Sequence, residues 1–156
     1  MLRVSEDEIE ASALLRAFEV EASGAGAIVT FSGAVRPSSA SGDVQTLYLQ
    51  AYPQMTERGI EACIEAARAR WPVTHVQVVH RVGEMPPGDT IVFVATASAH
   101  RRAAFEAADF LMDYLKTEAV FWKREATDQG SVWIEPRADD YEDAKRWRAA
   151  PVSDET

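Results

Sequence analysis

The hydrophobic pattern switches between a helical and a strand period along the whole chain. Ser5-Glu-Asp-Glu8 has the spacing of a capping box. Behind it, Ile9, Ala13, Leu14, Ala17 and Phe18 recur as in an amphipathic helix that ends near Gly24. The β-branched and aromatic run Ala27–Ser32, bounded by glycines, predicts a strand continuing to Arg36. Pro37–Asp43 is a loop by composition and is expected to be mobile. Val44–Tyr52 alternates Leu47, Leu49 and Ala51 against Tyr48, Gln50 and Tyr52, which predicts a second strand. Met55–Trp71 carries a helical stripe of Ile60, Cys63, Ile64, Ala67 and Trp71, and Pro72 stops it.

Strands follow at His75–Val82 and Thr90–Ala97, joined by the turn-rich Gly83–Asp89. The next helix places Ala104, Phe105, Ala108, Leu111, Met112 and Leu115 on one face. Phe121–Ala126 and Val132–Glu135 read as a hairpin across Thr127–Gly130. Asp139 or Asp140 can cap a final helix through Trp147. The order α-β-β-α-β-β-α-β-β-α predicts an α+β fold with largely antiparallel pairing, not a doubly wound parallel sheet. Residues 1–150 are expected to form one domain, with a frayed tail over 151–156.

Composition narrows the function. The 156 residues carry a formal net charge of −9, which opposes broad non-specific binding to nucleic acid. No apolar run reaches the ~18 residues of a membrane span. The acidic start MLRVSEDEIE lacks the apolar core of a secretory signal, so a cytoplasmic protein is expected. The single cysteine, Cys63, excludes an intramolecular disulfide and a Cys-rich metal site. It lies on an apolar stripe and reads as a small buried hydrophobe. His75 and His80 lack a second ligand at metal spacing, and Gly83…Gly88 lacks the Lys-Ser/Thr ending of a P-loop. Neither a metal nor another cofactor is expected.

The candidate chemistry concentrates in Ser98–Glu125. His100 and Arg101 open a helix, where free N–H groups, an imidazole and a guanidinium can receive a phosphate or carboxylate. Alternatively Ser98 caps the helix and the arginines, Arg102 included, are solvated; spacing alone favours this second reading. Lys116 and Lys123 flank the passage from helix to strand. A lysine partly desolvated among other cations can act as acid, base or nucleophile near neutral pH. On pattern alone a solvated face, neutralised by Asp113 and Glu118, is the stronger reading. Arg36, at a strand end beside a loop, and Arg137, after the hairpin, carry the same ambiguity.

Several strings agree in spacing with one family. Phe31-Ser-Gly-Ala-Val-Arg36, Tyr52-Pro-Gln-Met-Thr56, His80-Arg-Val-Gly83 and Pro87-Gly-Asp89 resemble the large, catalytic subunit of molybdopterin synthase. Ser98-Ala-His-Arg101, Phe105-Glu-Ala, Met112–Thr117 and Phe121–Glu125 carry the resemblance furthest, and it spans about Gly24 to Trp147. It implies an α/β hammerhead fold with an added antiparallel β element. It also implies a sulfurtransferase that converts cyclic pyranopterin monophosphate into molybdopterin. The implied sulfur donor is the C-terminal thiocarboxylate of a small ubiquitin-like subunit, bound at each end of a homodimer of large subunits.

Position by position, the resemblance implies Lys116 and Lys123 as catalytic lysines. It implies Arg36, His100 and Arg101 as substrate-binding residues, with Ala34, Val35, Arg124 and Glu125 adjoining them. Arg137 matches an arginine that reaches the pocket from a neighbouring large subunit. Many members of that family carry proline where this chain has Val120; valine restores an N–H and loosens φ on the path to Lys123. A reading from another class is a non-catalytic module that captures a ubiquitin-like tail or an anionic metabolite. A phosphate-ester hydrolase would need a nucleophile or metal site that the pattern does not supply.

Overall fold

A computed structural model describes residues 1–148; the tail expected from Pro151 lies outside the described residues. The elements are β1 (Leu2–Ser5), α1 (Ala11–Glu21), β2 (Ala27–Ala34), β3 (Ser38–Ser39), β4 (Gly42–Ala51), α2 (Pro53–Arg70), β5 (Val73–Arg81), β6 (Gly83–Met85), β7 (Thr90–Ser98), α3 (Arg101–Thr117), β8 (Phe121–Thr127), β9 (Gly130–Ile134) and α4 (Ala138–Lys145). One sheet has the order β1-β5-β7-β2; the other runs β3-β4-β8-β9, with β6 also paired to β4. The β1–β5 pair is parallel, and the remaining pairs among the described residues are antiparallel. The fold is α+β, as the element order predicts.

β7 is buried at every position from Val92 to Ser98 because helices cover both faces of its sheet. Val92 and Val94 point to α2 and α3 and join Ile60, Ile64, Val76, Val78 and Leu111. Phe93, Ala95 and Ala97 point the other way, towards Phe18 of α1 and Val79. A smaller cluster of Val35, Val44, Leu47, Leu49 and Met85 packs the second sheet. Phe121 touches both the first and the third cluster and so ties the sheets together. Burying a Leu, Ile or Phe contributes about 1.5–3 kcal/mol. Fully buried Ile60 and Leu111 therefore hold α2 and α3 firmly on the sheet.

Four expectations are corrected. Ser5 does not cap a helix: it ends β1, and its carbonyl accepts the Val82 N–H at 2.9 Å. The Met1 ammonium donates to the Val76 carbonyl, and Leu2 and Val4 pack on the main core. Backbone pairing and burial along β5 thus outweigh a local cap, and α1 starts at Ala11 with no side-chain cap. Pro37–Asp43 is not simply a loop, because Ser38 and Ser39 pair with Asp43 and Gly42 in a short hairpin. The second helix starts at Pro53, where the missing N–H costs nothing, and not at Met55. The last helix takes Arg137 as its N-cap; Asp140 serves from inside the first turn by accepting the Arg137 N–H at 3.0 Å.

Candidate active site

Where the two sheets meet, a cavity of about 330 Å³ opens. The end of β2 gives it Gly33, Ala34 and, just beyond, Arg36; β5 gives His80; the last turn of α3 gives Met112, Lys116 and Thr117. Phe121 and Lys123 come from β8, and Glu135, Arg137, Asp140 and Tyr141 from the entry to α4. Hydrogen bonds fix the chain on each side. The Val35 N–H donates to Asp89 O at 2.9 Å and its carbonyl accepts from Gly88 N at 2.8 Å, which clamps the residue before Arg36. Thr56 Oγ1 donates to the Val120 carbonyl at 2.6 Å and accepts from Tyr52 N at 2.9 Å. That pair of bonds sets the path into Phe121 and Lys123, so the extra freedom of valine at 120 is taken up by α2.

The two-residue period of β8 turns Phe121, Lys123 and Glu125 one way and Trp122 and Arg124 the other. Lys116 lies in the last turn of α3, where a cation complements the helix dipole. Lys123 is half-buried. Burial holds its ammonium below the ordinary lysine value; Lys116 and Arg36 push it the same way, and Glu125 and Asp140 pull back. His80 is pushed down to about 4, chiefly by burial, with Lys116 and Lys123 adding to the effect. The cavity therefore combines cations for an anion with an amine biased towards its neutral form.

Ala34, Arg36, Lys116, Lys123 and Arg137 meet at this one cavity, and Arg137 does so within its own chain. Val35 is buried in the small cluster of the second sheet and holds Arg36 in place from behind. Glu125 shares the face of Lys123 but is buried, accepting from Ser39 Oγ at 2.9 Å. Arg124 lies on the opposite face, its guanidinium stacked between Tyr48 and Trp133 at 5.0 and 5.6 Å. His100 and Arg101 are exposed at the far end of α3. Fifteen residues separate Arg101 from Lys116, about 22 Å at 1.5 Å per residue. Ser98 does not cap that helix; its hydroxyl donates to Pro72 O at 2.9 Å. His80, Asp140 and Tyr141 escape the sequence pattern, since only the pairing of distant elements brings them here.

The fold and cavity define a class: a mixed α+β protein with a lysine pair and arginines around one cavity. The sequence profile of the MoaE protein family matches residues 4–118. The molybdopterin synthase catalytic subunit of Escherichia coli (strain K12) is 54% identical over 122 residues, 78% of this chain and 81% of that one. The molybdopterin biosynthesis MoaE protein from Burkholderia ambifaria superposes with a TM-score of 0.81 at 39% identity, covering 96% of this chain and 99% of the other. Molybdopterin synthase from Staphylococcus aureus gives a TM-score of 0.75 at 29% identity, over 85% and 95% of the two chains. The chain belongs to the MoaE protein family.

Proposed function

We propose that this chain is the catalytic subunit of a molybdopterin synthase. It takes sulfur from the C-terminal thiocarboxylate of a small ubiquitin-like subunit and installs it on cyclic pyranopterin monophosphate, building the dithiolene of molybdopterin. The observation that carries this reading is the meeting of Lys116 and Lys123 in one cationic cavity, with Lys123 held below its ordinary value by burial and by its neighbours. In each of two rounds the thiocarboxylate sulfur bonds to a side-chain carbon of the pterin as a carbon–oxygen bond there breaks, the oxygen leaving protonated or on the freed phosphate arm. A thioester-like link then joins the pterin to the partner's tail. Water then cleaves the acyl–sulfur bond, leaving sulfur on the pterin and a carboxylate on the partner. Those steps need a base and a stabilised oxyanion. Lys123, biased towards the free amine, serves as the base, and the more open Lys116 supplies the positive charge.

Arg36 and Arg137 hold the substrate's phosphate. His100 and Arg101 join them from a second copy of the chain, because the ~22 Å along α3 keeps them from their own cavity. Ala34 lines the site, while Val35, Arg124 and Glu125 support it through the contacts described above. The sulfur must come from a partner: burial pushes the Cys63 thiol up to about 12, so it is not an available thiolate. The protein acts in the cytoplasm as a homodimer of large subunits within a heterotetramer.

Reconstitution with the thiocarboxylated partner and the precursor tests the reading. Lys116→Ala is expected to abolish molybdopterin formation while partner binding persists, and Lys123→Ala to lower turnover by about 10²-fold or more. Full activity in Lys116→Ala would remove that lysine from catalysis, whereas a wild-type chain that binds the partner but forms no molybdopterin would favour a binding module.

A further inference from the structure

His80 is a cavity group that the steps above leave unused. It is 6% exposed, and its ring stacks on that of Phe121 with centroids 4.2 Å apart and planes 22° apart. Its Nδ1 lies 3.0 Å from the carbonyl oxygen of Arg81. A carbonyl only accepts, so Nδ1 carries the hydrogen and Nε2 presents a lone pair. Among the described residues, the one fully enclosed side-chain nitrogen or oxygen without a partner is Arg3 Nε. No donor among the described residues meets Nε2, which is therefore open, and the cavity is what His80 lines. The ring stays neutral at physiological pH: burial dominates, Lys116 and Lys123 add to it, and the Arg81 carbonyl opposes it without prevailing.

A fixed lone pair repels a phosphate or thiocarboxylate oxygen and suits an N–H or O–H. We propose that His80 is a substrate-contacting specificity residue, whose Nε2 accepts a hydrogen bond from a donor on the uncharged ring of the bound substrate. Arg36 and the lysines hold the anionic parts, so the two kinds of contact orient the molecule across the cavity. This rests on the sulfur-transfer reading, whose substrate carries both an anionic phosphate and the N–H donors of a pterin.

Two near-isosteric variants separate the ring nitrogens. His80→Asn keeps an N–H near the place of Nδ1 for Arg81 and removes the Nε2 acceptor. His80→Gln puts an amide oxygen where Nε2 stood. In the reconstituted enzyme, His80→Asn is expected to raise KM for cyclic pyranopterin monophosphate about tenfold, the worth of one lost hydrogen bond. Its kcat should stay within about twofold, and His80→Gln should keep a KM near that of the wild type. In parallel, the ¹⁵N resonance of His80 Nε2 in the wild-type protein should move from that of a free lone pair when the precursor is added. An unchanged KM in His80→Asn, equal losses in both variants, or a still Nε2 resonance would each overturn the contact while leaving sulfur transfer intact. A wild-type enzyme that makes no molybdopterin would instead overturn the sulfur-transfer reading, and the contact with it.

Discussion

Burial and neighbouring charge act on Lys123 and His80 in the same direction, and both effects are measurable. Burial and Lys116 lower the Lys123 value in the folded protein, so the rise of kcat with pH should centre below the ordinary lysine value of 10.5. Glu125 pulls the other way. Glu125→Gln is accordingly expected to move that rise to still lower pH in a pH–rate profile; a shift upward would contradict the assignment. His80 affects stability as well. Its folded value of about 4 lies below the unfolded 6.5, so between these the unfolded chain binds the extra proton. Stability is then fully present above about pH 6.5 and is lost as pH falls towards 4, by roughly 3 kcal/mol in all. Denaturant melts at both ends of that window should show a larger acid loss in the wild type than in His80→Gln.

At the scale of elements, the join between β2 and β7 carries the tightest backbone contact near the start of α3. Ala27 pairs with Ser98, and a Cβ on Gly26 would stand 2.1 Å from the Ala99 carbonyl oxygen. A backbone atom cannot swing aside as a side chain can, so Gly26→Ala must open the end of the sheet beside His100. A loss of about 1–3 kcal/mol is expected, read as a lower melting temperature. The second sheet depends on cross-strand contacts of another kind. Trp122 and Trp133 pack edge-to-face with centroids 5.9 Å apart, and Arg124 stacks beside them. This outward face gives β8 the rigidity to present Lys123 from its inner side.

The whole molecule is acidic at −9, yet its cavity gathers Arg36, Lys116, Lys123 and Arg137. Local geometry therefore outweighs net charge in setting what the site attracts. The length of α3 makes the completeness of that site a question of assembly. If His100 and Arg101 serve a second copy's cavity, Arg101→Ala and Lys116→Ala chains are each inactive alone and complement when mixed. A mixed dimer holds one intact composite site, so random mixing should restore about a quarter of wild-type activity. No recovery would mean that Arg101 acts within its own chain or not at all.

Periodicity and punctuation alone determined much of this protein. The apolar run of β7, the helical stripe of α2 and the turn residues between β8 and β9 are legible because each is a local signal: a strand buried on both faces, a 3.6-residue period, and a turn composition. Charge and spacing alone read Arg36, Lys116, Lys123 and Arg137 as solvated surface, and only the resemblance to a known family singled them out. Only the tertiary structure decided the rest. It turned Ser5 from a cap into a strand end, because long-range pairing along β5 outweighs one local hydrogen bond. It brought His80, Asp140 and Tyr141 into the cavity, since they meet the lysines through contacts between elements far apart in the chain. It also separated His100 and Arg101 from Lys116 by the rigid length of α3, a distance that the closeness of these residues in sequence conceals.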